Sequence, residues 1–301
     1  MINLHNGDVM AIAAKRAGIP GEHLAFRETL VVGPIPPEEK WIEVRARFLS
    51  GRYGEELLRA SNSVFQQQQA LTAAASQDEI VLWFEHDLFC LVNLLYLLQR
   101  FERASIIWSP EPLAELEEPA LKGLFDLRTP VTPAMRDAAR AAWKVYSSSD
   151  PRTLNRLIAN DQRDFPFLRD GLALHASRFP STRNGLGSVE NRLLSLIAGG
   201  ATEFGTLFAA FDVNPPRFGF GDSEVLAALR DLAKRDVPLI TMTEAEGSPP
   251  KAILALTPEG ENVMNGSVND LKINPPDGWL GGVHLTPENL VRWDEQQKRL
   301  V

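Results

Sequence analysis

The chain has 301 residues, 44% hydrophobic and 23% charged, with a formal net charge of −8. That composition is that of an ordinary soluble globular protein, long enough for two or three separate cores. Its one cysteine, Cys90, excludes an internal disulfide framework and a cysteine-cluster metal site. The net charge is −3 over residues 1–110, +1 over 111–184 and −6 over 185–301, without a basic run or tail. A purely electrostatic grip on nucleic acid is therefore not expected. The opening segment MINLHNGDVM lacks the basic flank and apolar core of a secretory leader. The most apolar stretch, 88–101, is too short to span a bilayer. A cytoplasmic protein with no membrane partner is the expectation.

Residues 2–5 read as a short strand, and 8–17 as a helix stopped by Gly18 and Pro20. Residues 23–27 are a second strand candidate, followed by the turn-rich GPIPP at 33–37. Helical stretches at 38–50 and 54–75 lead to a strand at 79–84, a helix at 88–101 and a strand at 104–108. Strands alternating with helices predict a parallel sheet with covered faces, because parallel neighbours need crossover connections. The run IVLWF at 80–84 lacks the alternation of a half-wet strand, which agrees. Residues 1–110 are thus expected to form an α/β domain with a Rossmann-like parallel sheet.

From 111 to 184 the strand signal disappears. TPAMRDAARAAWKVY and DPRTLNRLIAND each open with a capping residue followed by proline, a helix-start signature. Over 185–266 the pattern changes to three short helices (188–198, 203–211 and 223–235), two strands (238–243 and 251–256) joined by the turn EGSPP, and a helix opened by Thr257-Pro258. That order is winged-helix-like. The tail, 267–301, carries Trp279, Leu280, Val283, Leu285 and Trp293, too apolar for a free extension. It is expected to fold back and dock, burying both tryptophans, with Gly281 and Gly282 in a tight turn and a short helix from Thr286-Pro287.

In an open parallel sheet, ligands bind beyond the carboxyl ends of the strands. The polar residues at those ends are His5, Asn6, Gly7 and Asp8; then Arg27 and Glu28; then Glu85, His86 and Asp87; then Ser109. Of these, Asp8, Glu28, His86 and Asp87 are the candidates for acid–base chemistry. Asn6, Gly7, Arg27 and Glu85 are the candidates for ligand binding, with Gly7 allowing close approach to an anion and Arg27 pairing with one. Carboxylates and a histidine converging from adjacent strand ends could also hold a divalent metal, whose identity and presence the spacing leaves unknown. Capping alone accounts for Asp8 and Asp87, each placed before an apolar helix. Arg27 with Glu28 could be a surface pair, and His86 a hydrogen-bonded loop residue. Neither a GxGxxG nor a Walker loop occurs, so no cofactor is assigned. Cys90, one turn into an apolar helix, reads as packing. Asn93, Tyr96 and Arg100 make a polar stripe on that helix, expected to face the helical middle region or a partner.

The stretches LHNGDVMAIAAKRAGIPGEHLAFRETLVVGPI and VLWFEHDLFCLVNLLYLL resemble the bacterial domain of unknown function 1835 family. FPSTRNGL and WLGGVHLTPENLVRWD resemble the C-terminal half of proteins carrying that domain. The resemblance implies a bacterial cytoplasmic protein and brings neither a reaction nor catalytic residues. Two functional readings follow from the residues. In one, the N-terminal domain binds a small nucleotide or phosphorylated ligand, with hydrolysis as a chemistry its groups allow. In the other, the chain is a ligand-responsive winged-helix transcriptional regulator or a protein-interaction scaffold. DNA is the less favoured partner, because the candidate recognition helix DSEVLAALRDLAKRD carries four acidic residues against three basic ones.

Overall fold

The apolar run at 80–84, covered on both faces, becomes the central strand of the sheet. The computed structural model describes residues 1–160, 163–213, 217–245 and 251–301. The turn expected at 246–250 lies outside the described residues. The chain begins with β1 (Ile2–Asn6), α1 (Asp8–Arg16), β2 (Glu22–Phe26), α2 (Trp41–Tyr53) and α3 (Leu57–Ala74). It continues through β3 (Ile80–Glu85), α4 (Leu88–Arg100), β4 (Ser105–Ser109), α5 (Glu118–Asp126) and β5 (Thr129–Pro130). These strands form one sheet in the order β2-β1-β3-β4-β5. The first four are parallel and β5 is antiparallel. Along β3 the side chains alternate between two cores. Ile80, Leu82 and Phe84 pack with α4, while Val81 and Trp83 meet α1 and α5. Region 111–184 was expected to lack strands; β5 is two residues long, too short for any periodicity to reveal.

The remaining helices are α6 (Pro133–Tyr146), α7 (Leu154–Ala159), α8 (Leu168–Ser177), α9 (Ser188–Ala198), α10 (Phe204–Phe211) and α11 (Asp222–Ala233). An antiparallel hairpin of β6 (Ile240–Ala245) and β7 (Lys251–Leu256) precedes α12 (Pro258–Met264) and α13 (Asp270–Ile273). The chain is thus a mixed α/β structure with thirteen α-helices among the described residues. Among them no helix is long and apolar enough to cross a membrane. Thr132 caps α6 by accepting from the Met135 N–H at 3.1 Å, as the Thr-Pro start implied.

The tail docks through two small antiparallel pairs, β8 (Gly278–Leu280) with β9 (Val283–Leu285) and β10 (Trp293–Asp294) with β11 (Arg299–Leu300). Its first turn sits on the end of α6, where Gly282 N–H donates to the Tyr146 carbonyl at 2.8 Å. A Cβ on Gly281 or Gly282 would collide with the Tyr146 or Ser147 carbonyl, so only glycine permits this approach. Trp293 N–H donates to the Pro180 carbonyl, and Thr182 N–H to that of Trp293. Leu300 exchanges two hydrogen bonds with the Asn155 side chain. Two tail expectations need correction. Trp279 stays 40% exposed, stacked on His284 in the hairpin rather than buried. Residues 286–289 make a hydrogen-bonded turn and no helix, because Asn289 N–H closes back on Thr286.

The first part of the loop after β2, residues 28–33, is largely buried without a strand or helix of its own, so its carbonyls need side-chain donors. Arg45 donates to the carbonyls of Thr29, Val32 and Pro34. Asn93 donates to Glu28, Tyr146 to Leu30 and Arg178 to Val31. One short loop is therefore held from α2, α4, α6 and the end of α8.

Candidate functional site

The sheet order reverses direction at β1 and β3, the switch point where an open α/β sheet leaves a crevice at its carboxyl edge. At the end of β1, Gly7 takes a φ of 89°, and its N–H donates to the Phe26 carbonyl at 3.0 Å. That backbone turn makes Gly7, not Asp8, the residue preceding α1. Asp8 instead accepts from Nε and Nη2 of Arg27 at 2.8 and 2.7 Å. This bond holds its carboxyl below the usual range. Both side chains are more than half exposed, so the pair adds little stability. Asn6 accepts from Asn93 Nδ2 at 2.8 Å and donates to Cys90 Sγ at 3.1 Å. Asn93 thus faces the β1 end rather than the middle region. Tyr96 reaches Gln68, and Arg100 reaches Glu38. His5, fully buried, stacks on His23, and burial pushes its pKa down to about 3.

Glu28 does not join the rim. Its carboxylate is 4% exposed and turned into the core, where Arg45, itself 0% exposed, donates at 2.7 and 3.1 Å. A buried carboxylate needs a cation, and the one that fits it lies seventeen residues along the chain on α2.

Glu85, Asp87 and Cys90 bring ligand atoms within 4.8 Å of one another, a spacing that a divalent cation could use. Each, however, already accepts a protein N–H. Glu85 takes Leu113 N–H at 2.9 Å, Asp87 takes Cys90 N–H at 2.7 Å, and Cys90 takes Asn6. The start of α4 is sealed from above as well. Leu88 and Phe89 N–H donate to the carbonyls of Arg217 and Phe218, and Gly219 lies so close to Asp87 that a Cβ there would overlap its carboxylate. A phosphate cannot use that helix N-terminus without displacing the 217–219 segment. Burial pushes the Asp87 carboxyl up to about 7 and raises that of Glu85, so the group favours keeping a proton.

A pH-dependent result follows. The Asp87 pKa is higher folded than its ordinary 3.8, so folding takes up a proton and stability falls as pH rises from 4 through 7. Asparagine can still accept from Cys90 N–H. Asp87→Asn should therefore match the parent near pH 4 and exceed it at pH 8 by roughly 1–3 kcal/mol, allowing for the favourable helix end. Urea unfolding across pH 4–8 measures this; a variant that loses ground with rising pH rules it out.

His86 lies half-buried between Trp108 and Phe167, at ring distances of 4.6 and 5.6 Å. Burial and the nearby Arg217 push its pKa down to about 4, leaving it neutral, and Nε2 has no partner. It forms one wall of a groove of about 1050 Å³ between the sheet rim, α8, α9 and the tail. Sequence reasoning missed this groove, because its other walls come from Phe167, Asn191, Arg217, Trp293 and Lys298, distant along the chain. Four cationic side chains and two carboxylates line it. Arg192 is committed to the carbonyls that end α10, whereas Arg217, with Nη1 donating to the Pro110 carbonyl at 3.1 Å, and Lys298 are both exposed. No protein-family model matches the chain, and no curated protein matches it.

Proposed function

We propose that the chain binds a small anionic ligand of the nucleotide or phosphorylated class in the groove beside His86. One observation carries this: a chain of net charge −8 gathers an excess of cations around a cavity of ligand size. The flat rings of His86, Phe167 and Trp293 suit a base, and Arg217 and Lys298 suit phosphate oxygens. The N-terminal domain is read as Rossmann-like and supplies the His86 wall. Binding is favoured over hydrolysis. His86 is too weakly basic at neutral pH to serve as a general base, and Asp87 is closed off beneath Gly219.

The order α9–α10–α11–β6–β7 supports a winged-helix module, but one that clamps rather than reads DNA. Its third helix, α11, is held by the N-terminal domain. Glu224 accepts from Arg52 and Tyr53, and Asp231 accepts from Arg52 at 2.8 Å. Arg230 and Arg235, which could have faced phosphates, are paired with Glu244 and Asp270. Among the described residues only Lys234 of the three cations has no ion pair, too little for a basic face.

The groove is tested by thermal unfolding with adenine and guanine nucleotides and with inorganic phosphate. A ligand present at a hundred times its Kd should stabilise the fold by about 2.7 kcal/mol. The gain should shrink with salt and be lost in the Arg217→Ala/Lys298→Ala double variant. If no compound in the set raises the wild-type midpoint, or the double variant responds equally, the reading fails.

A further inference from the structure

A second cavity, of about 730 Å³, shares no lining residue with the first. It lies where the loop after β2, α2, α9, α11 and the tail meet. At its wall is Arg178, only 7% exposed. Arg45 shows what a structural arginine looks like in this fold: both edges of its guanidinium are bonded, to Glu28 and three carbonyls. Arg178 differs. Its Nη1 donates to the Val31 carbonyl at 2.8 Å, and its plane lies over Phe220, 5.3 Å from the ring centre. Among the described residues, no carboxylate comes within ion-pairing distance of it, and its one hydrogen bond leaves the Nε–Nη2 edge unbonded on the cavity side. Those two atoms form the edge with which a guanidinium grips a carboxylate by two parallel hydrogen bonds. Glu224 and Glu190 offset its charge only from a distance, which leaves that edge free to grip an anion directly. Nearby, Glu190 Oε2 is also buried without a partner, beside Gly187, whose own position abuts the Arg178 carbonyl. The start of α9 compensates Glu190 in part, so the weight rests on Arg178.

We propose that this cavity is a binding site for a small zwitterion of the α-amino acid class. The Nε–Nη2 edge of Arg178 receives the carboxylate, Glu190 receives the ammonium group, and Phe220 with Phe48 covers the apolar part. Six acidic against four basic residues line the cavity, which disfavours a multiply charged phosphate. The ligand must reach a charge already desolvated by the fold, so its carboxylate and ammonium groups should each be required.

Calorimetric titration of the full chain tests this with the standard amino acids, the matching carboxylic acids and amines, and inorganic phosphate. At least one amino acid should bind, with its desamino and decarboxylated analogues each about tenfold weaker or more. Glu190→Gln should weaken the amino acid by a similar factor and leave the desamino acid unchanged. Arg178→Met should abolish both. Should Arg178→Met fail to fold, Glu190→Gln and Phe220→Leu still decide the matter, since each keeps the Val31 contact. No binding by any amino acid at 10 mM, tighter binding of phosphate to the Arg217→Ala/Lys298→Ala variant, or binding indifferent to Glu190→Gln and Phe220→Leu overturns the proposal. Nucleotides in the groove beside His86 bear on neither outcome.

Discussion

Arg45→Leu should lower the unfolding free energy by roughly 3–5 kcal/mol, the cost of stranding a buried charge. Arg45 is fully buried and bonded to Glu28 and to the Thr29, Val32 and Pro34 carbonyls. Leucine leaves the carboxylate without its cation and three carbonyls without that donor. Glu28→Gln is the milder change, because glutamine still accepts from Arg45 and no carbonyl is orphaned. The ordering is the test: guanidinium denaturation should place Arg45→Leu well below Glu28→Gln, with a melting midpoint roughly 5–8 °C below the parent. A loss under about 1 kcal/mol for Arg45→Leu would mean that the loop after β2 does not depend on it.

The tail separates its two tryptophans. Trp293 is 9% exposed, and its backbone pairs with residues 180 and 182 on both sides. Trp293→Ala should cost about 3–5 kcal/mol through lost contacts and a cavity. Trp279, 40% exposed and stacked on His284, should cost about 1 kcal/mol or less when replaced by alanine. Truncation after residue 273 removes both, together with the Leu300–Asn155 pairing, and should give aggregation-prone protein. Equal losses from the two alanine variants, or a truncated chain that melts at the full-length temperature, would show that the contacts seen for Trp293 do not hold the fold.

What could be read in the sequence were patterns that local physics imposes. β3 and β4 were legible as apolar stretches bounded by turn residues, and β1 and β2 as short extended stretches set off by helix and turn signals. Asp87 and Thr132 were legible as helix starts, since a cap needs only its own next three residues. The candidate rim was legible as a list of residues, but not their partners. Asn6 meets Cys90 and Asn93, more than eighty residues away, and Gly219 meets Asp87 across still more chain. Glu28 illustrates the difficulty best. Next to Arg27 it reads as half of a surface pair, yet Arg27 turns outward to Asp8 and Glu28 inward to Arg45. Adjacent strand-end residues point to opposite sides, so neighbouring charges seldom serve one another.

The loop between β2 and α2 also bears on how the molecule comes apart. Irregular segments usually open first and exchange their amide hydrogens fastest. Here the carbonyls of residues 28–32 and 34 are claimed by Arg45, Asn93, Tyr146 and Arg178, so releasing the loop means loosening four helices together. Leu30 and Val31 are fully buried as well, which leaves solvent no easy entry. Unfolding should then be a single cooperative event, with one calorimetric peak, and the amides of Leu30 and Val32 exchanging as slowly as those of β3.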